Sequence, residues 1–567
     1  MEGRAMADGN YWRRLSERQL GRRALLRAGG MVAAGVGAAA LAACGRGSSS
    51  GTAKPAGPAI GAGAGGGQPV RGGILSGRIN TDPPTTWLPA GSITYISVHP
   101  YASGYNQLVQ YDPQDETKII PDLADSYEVA ADGKSIVFKL HPGVKFHDGS
   151  DFSSEDVKAT IAWNLNPPAK KSSSQQGNLQ AIDRVETPDP LTAKFVLKMP
   201  NPSLLGILAT HLMPMGAKAD LAKDDLGATT INGTGPFKLK SYTRGVGAEF
   251  ERNPNYWVKD RPYLDGTRWS IVFDENSAMA NLTAGQFHKY YPVLPDNVGR
   301  ATKETGGKIK ETSVRSPGRR ILFFNATKKP FSDLRVRQAV SMVLDRNEAM
   351  LVDVLKPELG VAPGGYMIPG GPWASPTDQI RKVPGYDKPD IAEAKKLLAA
   401  AGVTEPLAGT LLTRSDTSFQ PNATYIQGTL KKVLGWDYKL DVKDSASAFA
   451  ATAATQFDLV AWNYQPAGDD PDATFGQLAT RQANTNWSKV YDDEADALFL
   501  KQSQTLDAVE RKKLVQQLEI KYLSNFPMLT MYFANSNHAI WTTVQNYKVP
   551  GPLYVNNRYQ DVWLSKA

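Results

Sequence analysis

From about residue 70 onward the chain interleaves two apolar periods, and that mixture most narrows what it can fold into. Apolar residues two apart mark strands: Ile136, Phe138 and Leu140 share one face, and so do Trp269, Ile271 and Phe273. Segments 193–197, 321–325, 457–462 and 528–533 read the same way. Apolar residues three and four apart mark helices. Ser332 or Asp333 can cap one whose Val336, Ala339, Val340, Val343 and Leu344 lie together. Asp390, with Glu393 three residues on, starts another that runs through Leu397 and Leu398 to a stop at Gly402. A third sets Leu514, Leu518 and Tyr522 on one side and ends before Pro527. Strands and helices mixed throughout predict an α/β chain whose sheets are covered by helices. The 567 residues leave room for two or three full-sized cores.

The first 68 residues read as an address rather than a fold. A basic run, Arg22-Arg23-Ala24-Leu25-Leu26-Arg27, precedes an uncharged Ala/Gly-rich stretch from Ala28 to Ala43. That stretch is shorter than the roughly 20 apolar residues a membrane span requires. Basic region, short apolar region and small residues describe a secretory signal peptide over 1–43, and the arginine pair points to twin-arginine export. Leu41-Ala42-Ala43-Cys44-Gly45 resembles the lipobox of bacterial lipoproteins, which makes Cys44 the expected lipidation site. Residues 44–68, almost wholly Gly, Ala, Ser and Pro, read as a flexible tether.

Charge and cysteine content exclude several function classes. Seven Arg against three acids give residues 1–43 a net +4 of the chain's +8, leaving +4 for everything after them. With no dense Lys/Arg stripe, a nucleic-acid partner is not implied. One cysteine rules out an intrachain disulfide framework and a cysteine-only metal site, and six His leave little room for a His cluster. No Gly-x-Ser-x-Gly elbow, His-Glu-x-x-His helix or P-loop occurs. No catalytic residue, metal or cofactor is expected. A lipid-anchored extracytoplasmic hydrolase, for example a paired-acid glycosidase, is the competing class, because spacing alone does not exclude it.

Several turn clusters carry more information than their turn chemistry. Arg71-Gly72-Gly73-Ile74-Leu75 is followed by Pro121 to Tyr127 and then by Phe138 to Gly149, which includes His141-Pro142-Gly143 and His147-Asp148-Gly149. Asn232-Gly233-Thr234-Gly235-Pro236-Phe237, Arg252 to Trp257, Pro262 to Gly266, Asp333 to Ala339, Phe457-Asp458-Leu459 and Phe526 to Leu529 continue the series. In that order the chain resembles an extracellular solute-binding protein of the peptide/nickel type (family 5), the receptor component of an ABC importer. The resemblance covers about residues 70–567. Two stretches depart from it. The family's Gly-Glu-Ile/Leu-Asp is here Gly285-Gln286-Phe287-His288, and the acidic residue often found three positions after the tryptophan is here Gln465.

The resemblance implies a two-lobed periplasmic-binding-protein-like fold of type II, in its large form with an extra subdomain. It places the first lobe at 69–110, 230–320 and 532–567, the extra subdomain at 111–229 and the second lobe at 321–531. Two lobes closing around a small-molecule ligand bury it and exclude water. The ligand expected is a short peptide or an oligosaccharide, delivered to the permease subunits of the transporter. The receptor is expected to be a monomer, lipid-anchored to the cell membrane on its outer face or in the periplasm. A receptor feeding a sensor is the third reading.

Candidate ligand-binding residues follow from the same frame. Trp462 ends an apolar strand, where an aromatic face can form a cleft wall. Asn463, Tyr464, Asp469 and Asp470 lie on the adjoining loop, and in peptide binders an Asp of this region holds the peptide amine. Arg414 and Asp416 follow the Leu411-Leu412 strand end and suit a carboxylate or an amine. Trp87, Ser92, Thr94 and Tyr95 occupy the segment where the first lobe borders the cleft. His147-Asp148 is expected to be a structural turn.

Overall fold

The computed structural model describes residues 67–80, 82–83, 95–168, 171, 173–223, 230–415, 417–466, 468–481, 483 and 485–566. The leader, Cys44 and nearly all of the proposed tether lie outside these residues, as do Trp87, Ser92, Thr94 and Asp416. No helix among the described residues is long and apolar enough to cross a membrane.

Two large sheets organise the chain. A seven-stranded sheet runs in the order Ile309–Val314, Ser536–Trp541, Lys289–Tyr290, Ile74–Ile79, Gly266–Ile271, Gly247–Arg252, Phe237–Thr243. A six-stranded sheet runs Gly360–Val361, Met528–Ala534, Arg319–Phe324, Leu459–Tyr464, Ala408–Arg414, Asp437–Lys443. Both mix parallel and antiparallel pairs. A separate four-stranded antiparallel sheet, Ala124–Val129, Ser135–Leu140, Thr192–Leu197, Ile182–Asp189, is covered by the helix Ser154–Leu165 and has its own apolar core. Helices cover each sheet because their apolar faces are what the sheets must bury.

Local signals place these elements. Asp333 accepts from the Arg335 backbone N–H and caps Leu334–Val343, whose Val336, Ala339, Val340 and Val343 are buried. Asp390 caps Ile391–Ala400 through the Glu393 N–H, and Gly402 follows with a left-handed φ of +77°. Ser153 and Asp156 form a capping box at the start of Ser154–Leu165. One expected position differs: Phe273 lies beyond the end of Gly266–Ile271 and is 61% exposed. The chain turns there into Asp274, which caps the next helix, so the alternation stops two residues early.

The glycine turn at Asn232–Phe237 is a close backbone approach. A Cβ on Gly233 or Gly235 would sit 2.0 or 2.4 Å from the Gly104 backbone. His147 Nε2 lies 3.1 Å from the Gly235 carbonyl, and Asn232 Nδ2 donates to Asp148 at 2.9 Å. His147 and Asp148 are thus engaged in joining two turns.

The chain passes between the two large sheets at two places. Residues 315–318 join Ile309–Val314 to Arg319–Phe324, and Asn535 joins Met528–Ala534 to Ser536–Trp541. Two bodies with separate cores, linked by short extended crossings, make a two-lobed α/β molecule with a cleft at the crossings.

Candidate functional site

A cavity of about 190 Å³ sits at those crossings. Its first-lobe wall includes Ile96, Tyr291, Asn537 and Tyr554; its second-lobe wall includes Arg320, Arg414, Phe419, Phe449, Trp462 and Gln465; its floor includes Ser316 and Asn535 of the crossings. Strand ends place these side chains. Ala408–Arg414 and Leu459–Tyr464 are parallel neighbours in the six-stranded sheet, so their C-terminal ends reach the same crevice.

Trp462 contributes to both the wall and the core behind it. It is 1% exposed and meets Trp487 edge to face at 5.1 Å and Phe449 at 5.6 Å. Asn463 and Tyr464 also border the cavity, the Tyr464 hydroxyl donating to Gln477 at 2.5 Å. The Arg414 guanidinium lies over Phe419 at 4.7 Å and Phe449 at 5.3 Å, and its Nη2 donates to Ser445 Oγ at 2.7 Å. Two aromatic rings and a hydroxyl hold the guanidinium in one orientation, an arrangement suited to a carboxylate. Arg320 is matched within its own lobe, pairing with Asp353 at 2.8 Å and donating to the Ser418 carbonyl at 2.9 Å.

The two aspartates of the Trp462 loop take other places. Asp469 is half-buried near Gly371, and burial pushes its carboxyl up to about 7. Asp470 caps Pro471–Leu478 through the Asp472 N–H and pairs with Arg511 at 3.2 Å. Neither borders the cavity, and among the described residues its charged wall groups are Arg320 and Arg414. Gln465 does border it, hydrogen-bonded to Ser316 of the crossing at 3.1 Å. Tyr95 begins the helix Tyr95–Tyr101, next to the wall residue Ile96.

The structure therefore brings Trp462, Asn463, Tyr464 and Arg414 to one cavity. Sequence reasoning did not select Tyr291, Arg320, Phe419, Phe449, Trp487, Asn537 or Tyr554. Tyr290-Tyr291-Pro292 was a usable signal, an aromatic pair closed by a proline. The others carry no local mark: Arg320 and Asn537 lie within strands, and the rest on ordinary helix and loop segments.

Comparison with known proteins agrees with this architecture. The sequence profile of the bacterial extracellular solute-binding proteins, family 5 (middle region), matches residues 118–486. The glutathione-binding protein GsiB of Pectobacterium atrosepticum is 31% identical over 332 residues, 56% of this chain and 61% of that protein's length. The di/tripeptide-binding protein 1 of Pseudomonas aeruginosa is 26% identical over 489 residues, 80% of this chain and 88% of that one. Among solved structures, the binding protein AgaA from A. tumefacien R10 with agropinic acid superposes with a TM-score of 0.79 at 27% identity, covering 87% of this chain and 99% of its own. DppA from Helicobacter pylori with the peptide STSA also reaches 0.79, at 23% identity and with 88% and 99% coverage, a likeness of fold.

Proposed function

Because the chain belongs to the bacterial extracellular solute-binding proteins, family 5, we propose that it captures a short peptide, of di- or tripeptide size, by closing two lobes and delivers it to the permease subunits of an ABC importer. Family 5 proteins are receptors, so the chain is a binding protein rather than an enzyme and the hydrolase alternative falls. The observation that carries the ligand class is the Arg414 guanidinium held between Phe419 and Phe449 in a cavity of about 190 Å³. A fixed fork of N–H donors suits a terminal carboxylate, and the aromatic rings beside it suit apolar side chains. Two of the relatives fit this size: one is named for di- and tripeptides and another for glutathione.

The amine is met differently from the arrangement expected from peptide binders. Gln465 and Asn463 offer carbonyl oxygens at the wall, while Asp469 and Asp470 point elsewhere. Trp462 with Asn463 and Tyr464 forms the second-lobe wall, and Tyr291 and Tyr554 face it from the first lobe. Lipidation of Cys44 after export holds the monomeric receptor at the outer face of the membrane, with residues 45–68 as its tether.

Thermal denaturation of the full chain against di- and tripeptides and against oligosaccharides tests the assignment, since a ligand selective for the native state raises the melting midpoint. Peptides are expected to raise it and sugars to leave it unchanged. A shift with oligosaccharides alone overturns the peptide reading.

A further inference from the structure

The four-stranded subdomain touches the second lobe at a place separate from the cavity. Ser203, on the loop leading into Leu204–Leu208, donates its hydroxyl proton to Asp470 Oδ1 at 2.6 Å and accepts from Arg511 Nη2 at 2.7 Å. Asp470 and Arg511 both belong to the second lobe, the latter on the helix Ala508–Asn525. The Arg511 side chain is fully buried here, with Asp472 at 3.6 Å and the Trp373 ring 4.8 Å from its guanidinium carbon. Beside this cluster Leu506 of the second lobe packs against the subdomain core, and a Cβ on Gly133 would lie 3.1 Å from it. None of these residues lines the cavity.

The topology gives this contact a meaning. Ser203 and Asp470 are 267 residues apart, and the bodies that carry them are joined through the crossings at 315–318 and 535. A rotation that opens the cleft about those crossings parts Ser203 from Asp470. The Asp470–Arg511 pair survives opening, because both partners move together. Ser203 then exchanges two hydrogen bonds to charged groups for water.

We propose that Ser203 is the catch of the closed form: its hydroxyl completes the Asp470–Arg511 pair only when the subdomain and the second lobe meet. Solute affinity is thereby set in part by a residue that never touches the solute, through the fraction of molecules in the closed form. The extra subdomain supplies the surface on which the second lobe closes, with Leu506 as the apolar element beside the catch. The inference rests on the two-lobe closure reading above.

Spin labels at two exposed positions, Leu191→Cys in the subdomain and Val442→Cys in the second lobe, report their separation in the full chain carrying Cys44→Ser. Dipolar spectroscopy is expected to resolve a short and a long separation. Ser203→Ala loses both hydrogen bonds to charged groups and is expected to lower the short-to-long ratio at least about tenfold. Ser203→Thr, which keeps the hydroxyl, is expected to retain the original ratio and so separates loss of the hydroxyl from loss of fold. Two separations whose ratio Ser203→Ala leaves unchanged overturn the catch and leave closure standing. A single separation in all three proteins overturns closure and the catch together.

Discussion

The Nζ of Lys289 lies 2.9 Å from the Tyr559 hydroxyl and over the rings of Tyr547 and Tyr559, at 4.7 and 5.1 Å from their centroids. This lysine is 2% exposed, and burial pushes its ammonium down to about 7. His99 and His538, which share this part of the first lobe, are held well below the usual imidazole range, by burial first and then by the neighbouring Lys289. Between about pH 7 and the ordinary lysine value near 10.4 the unfolded chain binds a proton that the folded chain does not, so this group makes stability rise with pH across that window. Lys289→Met is expected to stabilise the fold at pH 7 by on the order of 4 kcal/mol and to lose that advantage as pH approaches 10. Denaturant midpoints at the two pH values check this; an advantage independent of pH contradicts it.

Trp462 is both wall and core, so its truncation acts on the fold before it acts on binding. Trp462→Ala removes the partner of Trp487 and Phe449 and is expected to cost about 3–5 kcal/mol in urea unfolding. Trp462→Phe keeps an aromatic face and is expected to cost less. Equal costs for the two variants would place Trp462 outside a tightly packed cluster.

Arg414→Gln keeps hydrogen-bonding capacity and removes the charge. It is expected to weaken di- and tripeptides with a free carboxyl terminus about 10- to 100-fold, and to leave their C-terminally amidated forms unchanged. Titration calorimetry with matched free and amidated peptides reads the difference. Equal losses for both forms would assign Arg414 a structural role.

Cys44→Ser leaves the export signal intact and removes the thiol that carries the lipid. The variant is expected in the soluble extracytoplasmic fraction, with the unaltered protein in the membrane fraction. Mass spectrometry of the unaltered protein is expected to show a diacylglyceryl mass on the N-terminal cysteine. Retention of the serine variant in the membrane contradicts the anchor.

Much of the fold was legible because the signals that place elements are local. Asp333 and Asp390 each cap the helix that their sequence context foretold, and the alternation at Ile136, Phe138 and Leu140 does lie in a strand. Phe273 shows the limit: period alone does not reveal where a strand leaves its sheet. The site divides in the same way. Arg414 was marked by its strand end and Trp462 by its strand, and the topology brings the ends of those strands together; the Trp462 strand runs on through Asn463 and Tyr464, which were expected on a loop, because their backbones pair with Arg320 and Arg319. Asp469 and Asp470 had the right chemistry and the right loop, yet a cap and a distant guanidinium claim Asp470.

Periods, caps and turn glycines depend on residues within a few positions of one another, and from these the amino-acid order alone determined an α/β chain and the places of its most strongly patterned helices and strands. Only the tertiary structure decided which charges meet. Arg511 reaches Asp470 from 41 residues away and Ser203 from 308, and Gln465 finds Ser316 across 149. Pairings at such separations follow from how sheets stack and where the crossings run, and side-chain chemistry leaves many partners equally acceptable until packing chooses one.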